Sequence, residues 1–227
     1  MCPARGPAFR GDVMSFVVKA TSGSGGGGVK APPGNHLAVL VAVIDMGTQS
    51  HEYQGKQSWR RDVYLCWELV GQKVAGANKN HVIGCAVTLS MNEKATLRKW
   101  VEARTGKRVA NDAEFDVTSE LGQPCLLNVV LSQSGYPRVE GVAGLPAGLP
   151  VPVPSYKPVA VSLEEFRAGA EIPEWVPWHF GNPLSDHVRA CKEIGGPKPE
   201  RNGGSGQPAG GNGGGEYQAP AGGPIPF

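Results

Sequence analysis

The spacing of apolar positions switches between a two-residue and a helical period along this chain. From His36 to Asp45 (HLAVLVAVID) the run is apolar and rich in β-branched residues, too short for an ordinary helix, and predicts a first strand buried along most of its length. Arg60 to Val70 alternates, with Val63, Leu65, Trp67 and Leu69 on one face and Arg60, Asp62, Tyr64, Cys66 and Glu68 on the other, which predicts a half-buried second strand. His81 to Leu89 repeats the pattern with Ile83, Cys85, Val87 and Leu89 inward, and Gly84 inside it predicts a bulge or a close backbone approach. Ser90-Met91-Asn92-Glu93 then has the S-x-x-E form of a capping box, and Leu97, Trp100, Val101 and Arg104 recur at helical spacing until Gly106. Pro124 to Leu131 reads as a fourth strand, Ser134-Gly135 as a hairpin turn and Tyr136 to Ala143 as a fifth strand.

This order, three strands, a helix and two strands, is that of the five-stranded Greek-key OB barrel, a mainly β fold that binds oligonucleotides and oligosaccharides. Around it the composition divides the chain into a flexible arm (1–35), the core (36–145), a Pro-punctuated extension (146–194) and a Gly/Pro-rich disordered tail (195–227). In the arm, Ser15 to Lys19 (SFVVK) has weak edge-strand character, and Met14 is a second candidate start. In the extension, Leu145 to Pro154 (LPAGLPVPVP) excludes helix and central strand and predicts an extended surface strap. Trp175 and Trp178 follow, and Leu184, Val188 and Cys191 fit a short helix ended at Gly195-Gly196, so the extension is expected to pack on the core.

Gly and Pro together supply 53 of the 227 residues, which argues against a compact enzyme throughout. A net charge of +2 rules out a general polycation, so nucleic-acid binding would need a local basic patch. Five widely spaced cysteines without a C-x-x-C pair argue against a disulfide framework or a zinc ribbon. With no apolar run near membrane-spanning length and no signal-peptide pattern, a cytoplasmic protein without membrane partners is expected. No nucleophile elbow, phosphate loop or H-E-x-x-H motif is present, so neither an enzyme nor a cofactor is expected. His187 and Cys191 at i, i+4 are too few for a structural zinc site. Asp112, Glu114 and Asp116, the carboxylates that a Mg²⁺-dependent nuclease would need, read as solvated loop acids.

The informative cluster is His51 to Trp67, where Tyr53, Lys56, Trp59, Arg60, Arg61 and Tyr64 interleave cations and aromatics across the loop after strand one and strand two. Single-strand binders combine these types because bases stack on aromatic faces for about 1–3 kcal/mol each while Lys and Arg follow the phosphates. Trp67 belongs with the core face, whereas Tyr64 and Arg60 share the other face and are the main candidates. Trp59 and Tyr53 serve either as stacking rings or as caps on the barrel bottom, and Arg61 starts on the inward face near the rim. Tyr136 and Arg138 alternate outward together on the second hairpin, extending a binding face or forming a solvated tip. Lys94, Arg98 and Lys99 read as the wet side of the helix.

The segments Gly47 to Leu69 (GTQSHEYQGKQSWRRDVYLCWEL), Thr88 to Lys107 (TLSMNEKATLRKWVEARTGK), Gly122 to Val130 (GQPCLLNVV) and Ile172 to Trp175 (IPEW) resemble the OB-fold single-stranded DNA-binding proteins of tailed bacteriophages. The resemblance covers roughly residues 30–195 and implies coating of single-stranded DNA during phage replication or recombination, with a homo-oligomer among the possible states. The end of the tail, Pro224-Ile225-Pro226-Phe227, is similar to the tips of bacterial single-stranded DNA-binding proteins. There an acidic tip recruits replication and repair proteins, which here would use Ile225, Pro226 and Phe227. The acidic run of that family is missing, with Glu216 the one nearby carboxylate side chain. The rival expectation is a structural or assembly protein that uses the barrel and strap for protein contacts.

Overall fold

A computed structural model describes residues 30–111 and 113–198. Ser15 to Lys19, Met14, Asp112 and the tip residues Ile225, Pro226 and Phe227 lie outside the described residues. The described chain is mainly β: β1 (Gly34–Tyr53), β2 (Lys56–Lys73), β3 (Asn80–Thr88), α1 (Thr96–Thr105), β4 (Pro124–Leu131), β5 (Pro137–Ala143), β6 (Val159–Val161), α2 (Leu163–Arg167) and α3 (Leu184–Arg189). Among these residues no helix is long and apolar enough to cross a membrane.

One sheet runs in the order β3-β2-β1-β4-β5, every neighbour antiparallel, and β6 adds to β1 in parallel. The expected closed barrel is not what the pairing gives. β3 and β5 come within 8 Å at their Cα atoms, yet no ladder joins them, and the sheet stays open at that seam.

β1 is twice as long as the apolar run that predicts it, because it serves three neighbours in succession. Gly34 to Val39 pairs with β4, Ala42 to Ile44 with β6, and Ala38 to Tyr53 with β2, with register shifts at Leu40/Ala42 and Asp45/Gly47. β3 covers β2 only from Asp62 onward. Residues 46–61 therefore form a two-stranded ribbon rather than the expected loop, turning at Gln54 and Gly55, whose φ values of 50° and 73° fit a primed hairpin turn.

Both faces of the sheet are covered. On one, Val63, Leu65 and Trp67 pack with Leu97 and Val101 of α1 and with Leu127 and Val139, Trp100 meeting Trp67 edge to face at 5.7 Å. On the other, Ile44, Tyr64 and Cys66 pack under the extension, against Val161, Leu163, Val176, Leu184, Val188 and Cys191. β2 is thus buried on both faces from Asp62 to Leu69, not half-buried as its alternation predicts, because Glu68 and Tyr64 find polar partners in the extension. The Glu68 carboxylate is fully buried and accepts from Ser155 N, Ser155 Oγ, Tyr156 N and Asn80 Nδ2, all neutral donors. It fastens the strap to β2. Gly84 causes no register shift in β3. It is a close approach of another kind, since a Cβ there would sit 2.4 Å from the Tyr64 ring.

The capping box lies elsewhere than expected. α1 starts after Ala95 without a side-chain cap, while Ser90 accepts from Asn92 N in a short turn. The true box is Ser162 with Glu165, each bonding the other's backbone N–H at the start of α2. The four described cysteines, Cys66, Cys85, Cys125 and Cys191, are buried free thiols. Burial pushes those of Cys85 and Cys125 up to about 12.

Candidate nucleic-acid interface

The ribbon leans over a cleft of about 890 Å³. Its walls come from the ribbon and β2 (His51, Arg60, Asp62), the end of β3 and the connection to α1 (Thr88, Lys94), Trp100, Arg138 of β5 and the segment around α3 (His179, His187). His51 and Asp62 show how the ribbon is shaped. Asp62 is opposite Gly47 in the register, so His51 starts four residues further along, about 13 Å on a flat strand. The 2.7 Å bond from His51 Nε2 to Asp62 Oδ2 closes that gap and means that the ribbon curls inward.

The pairing register splits the predicted cluster between the two faces of the ribbon. Tyr53 with Lys56, His51 with Ser58 and Gln49 with Arg60 share one face, while Ser50 with Trp59 and Thr48 with Arg61 share the other. Tyr53 and Trp59 are exposed, 64% and 50%. Arg61 is held to Asp45 by an ion pair of 2.5 Å, and that hydrogen bond raises its pKa. On the Thr48 side the carboxylate of Glu193 accepts from Thr48 N at 2.8 Å and Thr48 Oγ1 at 2.6 Å, docking the segment after α3 onto β1. Burial pushes the Glu193 carboxyl up, but the Thr48 hydrogen bonds outweigh it and hold the group at about 2.

Tyr64, a main candidate from sequence, is not on the surface. The residue is 1% exposed, its hydroxyl donates to the Pro177 carbonyl at 3.3 Å and its ring meets His179 edge to face. It is a core residue because the extension covers the face that alternation leaves polar. Arg60 and Arg138, by contrast, come together as two walls of the cleft, and the Nε of each is buried without a hydrogen-bond partner among the described residues. Arg138 also forms a 2.7 Å ion pair with Glu140. Tyr136 lies outside the cleft lining, with Lys30 Nζ 3.7 Å from its ring centroid.

Sequence reasoning missed four contributors. Lys94 lines the cleft instead of a solvated helix face, and Lys198 lines it while bonding Ser50. Trp100, readable only as a helix core position, sits between that core and the cleft. His51 opens the basic and aromatic cluster read from the sequence, but its pairing with Asp62 had no signal there. Arg98, expected on the wet side, is buried and ties α1 to the following loop through Glu102, Asn111 and the Val109 carbonyl. Away from the cleft, Asp116 accepts from Thr118 N at the start of a 3₁₀ turn, and Glu114 is exposed. His187 bonds the His179 carbonyl, and Cys191 is buried beside Gly47.

Comparison with protein-family models, with curated proteins and with solved structures gives no match to this chain. The geometry of the cleft and ribbon therefore carries the functional reading.

Proposed function

We infer that this protein binds single-stranded DNA without strong sequence preference, the strand lying in the cleft under the ribbon. The observation that carries this reading is the pair Arg60 and Arg138, which face one cleft from β2 and β5, each with a dry, unpaired Nε–H. A buried donor without a partner costs about 1–3 kcal/mol, and a phosphate oxygen relieves that cost with a charge-assisted bond. Lys94 and Lys198 add positive charge to the cleft lining, and Tyr53, exposed outside that lining on the same ribbon face as Arg60, offers a ring on which any base stacks, whereas Trp59 points from the opposite face. The strand order supports an OB-type barrel opened at the β3/β5 seam. The proposal extends to a cytoplasmic, non-enzymatic phage protein that coats single strands in replication or recombination, with the tail tip recruiting partners.

Anisotropy titration of a dye-labelled oligo-dT beside the matching duplex tests this reading. Tighter, salt-sensitive binding of the single strand is expected, and no binding by the folded protein refutes it. A second reading, a protein-contact role, rests on the exposed strap residues Leu149, Val151 and Val153. It is favoured if oligonucleotides do not bind.

A further inference from the structure

The cleft contains a negative charge that phosphate binding does not need. Asp62 lies two residues from Arg60, its side chain 5% exposed, with Oδ2 bonded to His51 Nε2 and Oδ1 without a hydrogen-bond partner among the described residues. A dry carboxylate thus stands in the wall from which Arg60 projects. Resting on the reading of the cleft as a binder of phosphodiester strands, we propose that the Asp62–His51 pair limits the cleft's grip on phosphate, and that protonation of His51 lifts the limit.

The sign follows from charge. With His51 neutral the pair carries one negative charge and repels the phosphates that Arg60 and Arg138 attract. With His51 protonated the pair is neutral overall, and a strand in the cleft meets one more positive charge in a partly dry site, where Coulomb terms are stronger than in water. The other charged residues lining the cleft are Glu52, Arg60, Lys94, Arg138 and Lys198. His179 and His187 also line the cleft, so the test must separate them from His51. The hydrogen bond to Asp62 makes the separation possible, because it singles out His51 as the histidine that neutralises this carboxylate.

The experiment titrates the full chain against dye-labelled oligo-dT at pH 8 and pH 5.5, at constant ionic strength. Wild type binds on the order of ten-fold tighter at pH 5.5. His51→Gln, which keeps a donor for Asp62 but cannot take up a proton, loses most of that gain, and the remainder measures His179 and His187. Asp62→Asn binds on the order of ten-fold tighter than wild type at pH 8, whereas loss of a merely structural contact would weaken binding. Thermal melts report whether each variant folds, and if Asp62→Asn does not, the His51→Gln ratio decides alone. Equal pH ratios in wild type and His51→Gln, or a folded Asp62→Asn that binds no tighter, overturn the proposal and leave the binding reading standing. No binding by wild type at either pH overturns both.

Discussion

Replacing Glu68 with Ala removes the acceptor that holds the strap against β2. Ser155 N, Tyr156 N and Asn80 Nδ2 all point at this carboxylate, at 2.8, 3.0 and 2.5 Å, while the Ser155 hydroxyl is free to rotate elsewhere. Each buried donor left unpaired costs about 1–3 kcal/mol, and with partial relaxation of the strap the sum is about 3–5 kcal/mol. That is a large share of the roughly 5–15 kcal/mol of a typical domain. Urea denaturation followed by tryptophan fluorescence measures it, and chymotryptic cleavage after half-buried Tyr156 reports whether the strap has loosened. Loss of less than about 1 kcal/mol with an unchanged cleavage pattern would refute the fastening role. A pH dependence accompanies it. Burial pushes the Glu68 carboxyl up, but the bonds from Ser155, Tyr156 and Asn80 outweigh it and hold the group below the ordinary range. Its folded pKa is depressed, so its contribution is present above the unfolded carboxyl value of about 4.3 and is lost as pH falls through the folded value. Glu68→Gln should flatten that acid limb of the stability curve.

Gly84→Ala drives a Cβ into the Tyr64 ring and is expected to cost about 1–3 kcal/mol by denaturation, with oligonucleotide affinity of the folded fraction unchanged. Tyr64→Ala empties a fully buried position and should cost about 3–5 kcal/mol, and its effect on single-strand affinity should follow the folded fraction alone, unlike that of Arg60→Ala. The Glu193 carboxyl, held at about 2 by Thr48, contributes stability above the unfolded carboxyl value that is lost as pH falls toward 2. Thr48→Val should weaken this contact, and acid titration of the Glu193 carboxyl by NMR should then show a higher midpoint.

The strands were legible because their apolar alternation is strong: β3, β4 and β5 begin and end within one residue of where the pattern puts them. The ribbon was not, since His51 to Trp59 has only Tyr53 and Trp59 among polar residues, and cross-strand pairing without burial leaves no periodic signal beyond the Gln54-Gly55 turn. Alternation in β2 misled in a specific way. Tyr64, Cys66 and Glu68 look solvent-facing beside Val63 and Leu65, but a second layer 87 or more residues later in the chain covers them, and a single strand carries no mark of a distant cover. The same blindness moved Tyr64 out of the candidate site. Arg60 and Arg138 are 78 residues apart in sequence, and it is the return of β4 and β5 beside β1 that makes them walls of one cleft. The box at Ser162–Glu165 was readable by the rule applied at Ser90, and it lies in the extension beyond the Leu145–Pro154 strap, where no element was predicted.

The claim that the strand's phosphates lie between Arg60 and Arg138 is tested most directly by the salt dependence of binding. Each phosphate contact on a single strand adds about 0.7 to the slope of log affinity against log salt concentration. The double variant Arg60→Ala/Arg138→Ala should therefore bind oligo-dT more weakly, with a slope about 1.4 shallower than wild type. An unchanged slope and affinity in a folded double variant would contradict the account.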